Sequence, residues 1–179
     1  MTVPPKKERY QALMLAHMNS AFNLACWLTR SRADAEDIVQ EACLRAYKFF
    51  DSFHGDDGRA WLLAIVRNTF YTWHSENRKQ EPTMEFDEER HSHEEAGVAP
   101  ADNNPETLLM HKDDERLLRQ AIERLPLEYR EVIVLRELED LSYKQIAGIA
   151  GIPMGTVMSR LGRGRKLLAA MLTSASRDG

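Results

Sequence analysis

The residues of this sequence with the clearest potential for binding are the cations near its C-terminal end. Residues 142–179 contain six Lys and Arg side chains and a single acid. Ser142 and Gln145 form a capping box that opens a short helix, and Gly151-Ile152-Pro153 turns the chain into a second helix. Such a pair is typical of a helix-turn-helix, whose second helix enters the major groove of DNA. We expect these side chains on the second helix to reach base edges and phosphates: Met154, Thr156, Ser159, Arg160, Arg163 and Lys166.

Apolar and small residues of this motif are placed as a helix-turn-helix core requires. The side chains expected between the two helices are Ile146, Ile152, Val157 and Leu161. Gly151 suits the left-handed conformation of the turn. Gly162 and Gly164 each cost a helix up to about 1 kcal/mol relative to alanine, so we expect the second helix to end early or fray.

A second candidate site lies in the segment RAWLLAIVRNTFYTWHSENRK, where cations alternate with aromatic residues. The cations are Arg67, Arg78 and Lys79, and the aromatic residues are Trp61, Phe70, Tyr71, Trp73 and His74. Unstacked bases can rest on aromatic rings while cations follow the backbone, as single-stranded or melting nucleic acid requires. Core packing competes for the same rings, and we expect Trp61 and Trp73 to be core residues.

No arrangement typical of an enzyme accompanies these sites. The sequence has neither a glycine-rich phosphate loop after a strand nor a GxSxG motif. Cys26 and Cys43 lie in helical patterns outside any CxxC motif, which indicates small buried side chains. We therefore expect no catalytic residue, no cofactor and no metal. One alternative is metal regulation through four residues of the middle segment: His91, His93, Glu94 and Glu95.

Helices are the elements predicted to position the candidate sites. Before residue 80, apolar residues recur at three- and four-residue steps in three segments. Ser31 caps the second of these helices, whose predicted buried stripe is Ala35, Val39, Ala42, Ala46 and Phe49. Asn104 and Pro105 open a fourth helix, which is expected to bury Leu118, Ile122 and Leu125. The run VIVL, residues 132–135, could be a strand, but its helical flanks favour a helix.

Charge divides the 179-residue chain into three parts. Residues 1–80 carry 11 basic and 9 acidic side chains, residues 81–106 carry 1 and 9, and residues 107–179 carry 12 and 10. The middle part has few large apolar residues and no periodicity, so it cannot bury enough surface to order itself. We predict an all-α fold class in which two small helical domains, 1–80 and 107–179, are joined by a flexible acidic linker, 81–106.

The location expected for this chain is the cytoplasm. No apolar run approaches the roughly 20 residues that a membrane crossing needs. The N-terminal segment, MTVPPKKERY, also lacks the apolar centre of a signal peptide.

Three blocks of the sequence resemble, in their order and spacing, the extracytoplasmic-function (ECF) sigma factors, group 4 of the sigma-70 family. The blocks are DAEDIVQEACLRAYKFF, RAWLLAIVRNTFYTW and LPLEYREVIVLRELEDLSYKQIAGIAGIPMGTVMSRLGRGRKLL. An acidic segment separates the second block from the third, and the resemblance covers roughly residues 8–172. Members of this family are small two-domain initiation factors of bacterial transcription.

The resemblance implies a division of labour between the two domains. The first would bind core RNA polymerase and open the minus-ten element, and the second would read the minus-thirty-five element. Implied contacts with the clamp helices of the largest polymerase subunit are Asp34, Asp37, Gln40, Glu41 and Arg45. Implied minus-ten contacts are Arg67, Asn68 and Tyr71, beside a loop from Ser52 to Gly58 that would capture a flipped base. An anti-sigma partner and a stress or envelope response are also implied, without membrane insertion.

One alternative function of a different class remains open at this stage. A stand-alone helix-turn-helix repressor would be a dimer and would bind a palindromic operator.

The acidic linker adds a further expectation, because its charge of −8 disfavours binding of the free protein to DNA. We therefore predict weak promoter binding in the absence of polymerase.

Overall fold

The computed structural model describes residues 2–80 and 105–178, and every regular element in these two ranges is helical. The helices of the first range are α1 (Lys6–Thr29), α2 (Arg32–Phe49) and α3 (Gly58–Gln80), with a 3-10 turn at Phe50–Ser52. Those of the second range are α4 (Pro105–Glu123), α5 (Leu127–Ile133), α6 (Tyr143–Ala150) and α7 (Met154–Arg177), with a π-helical turn at Val134–Leu138. The predicted all-α fold class is thus confirmed for the described residues.

The N-terminal half, residues 2–80, is a bundle in which α1, α2 and α3 pack against one another. Ser31 caps α2, because its hydroxyl accepts a hydrogen bond from the Asp34 amide at 3.3 Å. The predicted stripe of α2 is buried except at its last position, where the prediction is wrong. Phe49 is 51% exposed, and Phe50, 6% exposed, takes the place in the core. The tighter 3-10 winding that begins at Phe50 explains this shift by one residue.

The C-terminal half, residues 105–178, packs α4, α5 and α6 around α7. Ile122 and Leu125 are buried as predicted, but Leu118 is 41% exposed. That prediction is wrong because, between residues 112 and 123, only the last turn of α4 has fully buried side chains. The proposed cap Asn104 lies outside the described residues.

The apolar run at residues 132–135 is helical and fully buried, as its flanks indicated. The helix widens in this region: the Glu139 amide donates to the Val134 carbonyl, five residues earlier, at 3.1 Å. Such a π-turn rotates the residues that follow it relative to a regular helix. It brings the chain to Leu141, which is 1% exposed, directly before α6.

Helix α7 does not end at its glycines, contrary to the prediction. It continues through Gly162 and Gly164 to Arg177. Gly164 is buried, and a Cβ atom there would lie 3.0 Å from Cγ1 of Ile133 in α5. The missing side chain therefore lets α7 approach α5 closely, and this packing outweighs the low helix propensity of glycine.

The two halves pack against each other, an arrangement that the sequence left open. Helix α3 contacts α6, and α1 contacts α5 and the π-turn. Of the predicted linker, 81–106, the first 24 positions lie outside the described residues, and the last two belong to α4. Within residues 2–80 and 105–178, no helix combines the length and apolar character needed to span a membrane.

Candidate nucleic-acid and polymerase-binding surfaces

The helix-turn-helix has the local geometry that its sequence predicts. The Ser142 hydroxyl accepts from the Gln145 amide at 3.1 Å, and the Gln145 side chain accepts from the Ser142 amide at 2.9 Å. Gly151 has φ of 65°, the left-handed conformation that glycine adopts without steric cost. Ile146, Val157 and Leu161 are at most 1% exposed, so the two helices share a dry core. The crossing of α6 and α7 is fixed by these contacts.

The outer face of α7 carries all six predicted DNA contacts. Met154, Ser159, Arg163 and Lys166 are exposed, and Thr156 and Arg160 are partly exposed. In the described part of the chain, no ion pair engages Arg160, Arg163 or Lys166. Their charges are therefore available to an external anion, and a phosphate backbone is the anion that a groove-binding helix meets.

Two other residues of α7, Arg165 and Met158, lie outside the set of predicted DNA contacts. Arg165 donates to the Glu137 carboxylate at 2.6 Å, and this hydrogen bond raises the pKa of the guanidinium. Its charge is thus already paired within the C-terminal half. Met158, 52% exposed, was absent from the predicted contacts and lies one turn after Met154. A thioether at that place offers apolar contact to a thymine methyl group.

The outer face of α2 carries the five predicted polymerase contacts. Asp37, Gln40 and Glu41 are exposed, while Asp34 and Arg45 are partly exposed. Arg45 and Glu41 form an ion pair at 3.0 Å, one helical turn apart. These five side chains therefore form a polar, largely solvated stripe along the helix.

Sequence reasoning missed the apolar part of this α2 surface. Leu44 is 70% exposed and Phe49 is 51% exposed. Together with Glu41, Arg45 and Lys48 they line a shallow groove. A large apolar side chain displaced from the buried stripe was the sequence signal that could have revealed Leu44. Exposed apolar groups ringed by charges are typical of a protein-binding surface.

The three predicted minus-ten contacts on α3 do not share one environment. Asn68 is exposed, but Arg67 and Tyr71 face the C-terminal half. The Arg67 Nε donates to Oε1 of Glu131 at 2.5 Å, and the Tyr71 hydroxyl donates to Oε2 at 3.0 Å. The Arg67 guanidinium also lies 4.1 Å from the centre of the Tyr71 ring. We call Arg67, Tyr71 and Glu131 the α3–α5 cluster.

Burial and the Glu131 carboxylate shift the pKa values of Arg67 and Tyr71. Glu131 is 0% exposed, so both of its oxygens depend on donors from α3. Burial opposes the charge of Arg67, but the hydrogen bond and charge of Glu131 outweigh it and raise the Arg67 pKa. Burial, together with the Glu131 charge, raises the pKa of Tyr71 to about 12. In the sequence, Glu131 is an acid directly before an apolar run, which could have indicated a buried carboxylate. The sequence does not show that its partners are Arg67 and Tyr71.

Further polar contacts join Arg59 of α3, and Asp57 directly before that helix, to the C-terminal half. Arg59 donates to the carboxylate and to the carbonyl of Glu139, each at 2.6 Å. Gln145 donates to Oδ2 of Asp57 at 2.8 Å, and Asp57 also accepts from the Ala60 amide at 3.0 Å. The Ala60 amide, and then Gln145, lower the pKa of Asp57.

The loop expected to capture a flipped base, from Ser52 to Gly58, lies at the start of α3. Its Phe53 stacks on Trp61, with ring centres 4.8 Å apart. Trp61 and Trp73 are partly rather than fully buried. The prediction that both are core residues therefore holds only for part of each ring. The loop presents an aromatic platform beside a helix end, as stacking on a base would require.

Arg130 supports the corner where the two halves meet. Its guanidinium donates to the carbonyls of Leu125 at 3.0 Å, Glu123 at 3.1 Å and Leu28 at 3.2 Å. Burial, and then the charge of Arg30, lower the Arg130 pKa to about 10. Because Leu28 belongs to α1, this buried cation holds the end of α1 against the start of α5.

His74 lies beside the same corner and stacks on Phe70, with ring centres 5.3 Å apart. Burial, followed by the charges of Arg78, Arg130 and Arg30, lowers the pKa of His74. In the part of the chain described, no group of three or more His, Cys, Asp and Glu side chains is placed to hold a metal ion. The candidate metal residues His91, His93, Glu94 and Glu95 lie outside it.

Family models match both halves of the chain. Sigma-70 region 2 matches residues 13–80, and Sigma-70 region 4 matches residues 115–168. The first match contains α2, α3 and the loop between them, and the second contains the helix-turn-helix.

Relatives of known function are similar over most of their length. The ECF RNA polymerase sigma-E factor of Escherichia coli K12 is 37% identical over 137 residues, or 75% of this chain and 72% of that protein. The sigma-E factor of Haemophilus influenzae is 33% identical over 166 residues, or 90% of this chain and 86% of that protein. These relatives favour an initiation factor over the stand-alone repressor.

Solved structures agree in fold. The sigma factor RpoE of Bartonella quintana, crystallised with the anti-sigma factor NepR, is 27% identical and has a TM-score of 0.70 over 93% of this chain and 98% of that chain. CnrH, in complex with the cytosolic domain of CnrY, is 20% identical, with a TM-score of 0.63 over 94% and 90% of the two chains. From the two region matches and the sigma-E relatives together, we conclude that this chain belongs to the extracytoplasmic-function sigma factors of the sigma-70 family.

Proposed function

We propose that this protein is a dissociable specificity subunit that binds core RNA polymerase and directs it to promoters with paired minus-ten and minus-thirty-five elements. It catalyses no reaction itself and works with polymerase in the cytoplasm. The observation that carries the proposal is the presence, on one chain of this family, of an exposed basic face on α7 and an exposed polar and apolar face on α2.

Helix α7 is the proposed reader of the minus-thirty-five element. Arg160, Arg163 and Lys166 supply charges for phosphates, and Thr156 and Ser159 supply hydroxyl groups for base edges. The buried core beneath this face supports the assignment, since a rigid helix holds these side chains in register with the groove.

The outer face of α2 is the proposed contact for the polymerase clamp helices. Its charged and amide groups would set the orientation of the complex with polymerase and the rate of association. These groups belong to Asp34, Asp37, Gln40, Glu41 and Arg45. Leu44 and Phe49 would supply the apolar contact that is covered on binding. Neither residue has a core role that would account for its type, since both are exposed.

Helix α3 and the Ser52–Gly58 loop are the proposed minus-ten site. Melting a base pair costs a few kcal/mol, and stacking of a displaced base on an aromatic ring returns about 1–3 kcal/mol. Asn68, Arg67 and Tyr71 would contact the separated strand. Phe53 and Trp61 form the aromatic surface beside them.

An anti-sigma factor is the proposed restraint on this activity, released in a stress or envelope response. The Bartonella relative of similar fold was crystallised with such a protein. The two related sigma-E factors cover most of this chain. Co-purification of the tagged protein from its native cells would identify the partner.

Transcription in vitro tests the proposal. Purified protein is added to bacterial core polymerase over a promoter library, and RNA 5′ ends are sequenced. We expect starts that require this protein and that share two upstream elements. Asp37→Ala should reduce co-elution with core polymerase, whereas Arg160→Ala should preserve co-elution and lose selectivity for the upstream element.

Matched controls keep these outcomes specific. Glu8→Ala removes an acid from the first turn of α1, and Arg177→Ala removes a cation from the far end of α7. Both controls should behave like the unaltered protein. An absence of new starts, together with no co-elution with core polymerase, would refute the proposed function.

A further inference from the structure

We propose that the α3–α5 cluster is a latch that keeps the two halves of the free protein closed and withholds Arg67 and Tyr71 from nucleic acid. This inference rests on the proposed function only in assigning those two residues to DNA. The closed arrangement itself follows from contacts between the halves.

One stripe of α3 makes these contacts. Arg59, Leu63, Arg67 and Tyr71 follow one another at four-residue steps and therefore lie along one side of the helix. Leu63 is 0% exposed, and the three polar residues bond to Glu139 or Glu131 of the C-terminal half. The side of α3 that carries Arg59, Arg67 and Tyr71 thus faces the C-terminal half along about three helical turns.

Glu131 occupies these donors as a phosphate would. A carboxylate and a phosphate are both anions that accept from a guanidinium and from a hydroxyl group. Since Arg67 Nε and the Tyr71 hydroxyl already bond to the two Glu131 oxygens, DNA must replace that carboxylate to use them. Closure of the halves therefore excludes binding of DNA through these two donors, Arg67 Nε and the Tyr71 hydroxyl.

The other two proposed surfaces stay accessible in the closed protein. Asp37, Gln40 and Leu44 on α2 are exposed, as are Arg163 and Lys166 on α7. Polymerase can therefore dock on α2 before the halves separate, and separation then uncovers the minus-ten residues. This order prevents the free protein from binding melted DNA without polymerase.

The strength of the latch follows from its burial. Glu131 is 0% exposed, so bulk salt screens its bond to Arg67 only weakly. In Glu131→Gln the side chain keeps its shape but loses its charge and one acceptor. A hydrogen bond to a charged group is worth about tenfold or more in an equilibrium constant, so the open fraction should rise by at least about tenfold.

Small-angle X-ray scattering of the full chain tests closure without reference to function. We expect Glu131→Gln to have a larger radius of gyration than the unaltered protein. Glu137→Gln is the matched control, because Glu137 is exposed and pairs with Arg165 inside the C-terminal half. The control should leave the radius unchanged. Circular dichroism shows whether each variant is folded, and Glu139→Gln, which breaks the Arg59 pair, replaces Glu131→Gln if the latter is not.

Binding of a fluorescein-labelled single-stranded DNA of mixed sequence tests the withholding of Arg67 and Tyr71. We expect the unaltered protein to bind weakly and Glu131→Gln to bind at least about fivefold more tightly, measured by anisotropy without polymerase. Addition of Tyr71→Phe to Glu131→Gln should reverse part of that gain.

The possible results separate the latch from the proposed function. A folded Glu131→Gln protein with the same radius as its parent would overturn the latch and leave the sigma-factor proposal standing. An open protein with no gain in DNA affinity would overturn the withheld site. An open, DNA-binding variant that supports no transcription with core polymerase would uphold the latch while the proposed function fails.

Discussion

Two glycines on one helix allow packing and helix propensity to be measured separately. Gly162 and Gly164 both lie inside α7. A Cβ atom at Gly162 would meet no atom within 4 Å, whereas one at Gly164 would lie 3.0 Å and 3.3 Å from Cγ1 and Cδ1 of Ile133. Each change to alanine brings the same gain in helix propensity and the same loss of freedom in the unfolded chain. The difference between the two variants therefore reports the contact with α5.

The expected magnitudes differ in sign. Gly162→Ala should raise the free energy of unfolding by about 0.5–1 kcal/mol, since nothing opposes the propensity gain. Gly164→Ala gains the same amount but overfills a packed contact, which costs about 1–3 kcal/mol. Ile133 cannot yield easily, because it is 1% exposed and its crowding atom, Cγ1, is fixed next to a branched Cβ. We expect Gly164→Ala to be less stable than Gly162→Ala by about 1–3 kcal/mol.

Urea unfolding followed by circular dichroism measures both values. The double variant Gly164→Ala/Ile133→Val lacks the Cδ1 atom that crowds the new methyl group. Its loss in free energy of unfolding should therefore be smaller than the sum of the losses in the two single variants. If Gly164→Ala stabilises the protein as much as Gly162→Ala does, α7 does not approach α5 as described, and the explanation for its continuation past the glycines is wrong.

Three further predictions concern buried polar groups. Arg130→Met should lower the free energy of unfolding by about 3–5 kcal/mol, since the Leu28 and Leu125 carbonyls lose the Arg130 donor and the Glu123 carbonyl keeps Arg30 at 3.3 Å. The exposed Arg124→Met should change it little in the same urea titration. His74 has a pKa below its ordinary value of 6.5, so the unfolded chain binds a proton at this side chain before the folded protein does. The free energy of unfolding should therefore fall as the pH drops below about 6.5, and His74→Gln should remove this part of the difference between urea unfolding curves at about pH 7.5 and about pH 5.5. Burial raises the Tyr10 pKa to about 12, so the unfolded chain loses this proton first and the free energy of unfolding should fall as the pH rises above about 10. Tyr10→Phe should reduce this decrease in urea unfolding curves measured at alkaline pH.

Prediction from sequence succeeded where structure depends on neighbours along the chain. The Ser142–Gln145 box and the left-handed Gly151 are local features, because their partners lie within one turn. Apolar periodicity likewise located the core of the helix-turn-helix, since a side chain three or four residues from a buried one shares its face. The roles assigned to individual site residues stay predictions that the proposed experiments address.

Errors arose where the outcome depends on a second element. Phe49 and Leu118 fit their stripes, but the stripe continues only as far as another helix covers it. Gly162 and Gly164 predicted an early end because propensity describes an isolated helix, while α7 packs on α5. Leu44 is exposed on a helix whose other face is buried, and burial of apolar residues is a tendency rather than a requirement.

The sequence by itself determined the helices of the two described ranges, the helix-turn-helix and the residue types of its outer face, because these depend on caps, turns and periodicity within short segments. Only the tertiary structure decided that Glu131 meets Arg67 and Tyr71, which are 64 and 60 residues away along the chain. A buried charge is stable only beside a partner, yet many cations in the sequence could have served. Which of them did was fixed by the faces of α3 and α5 that pack together, and those faces are set by the whole fold.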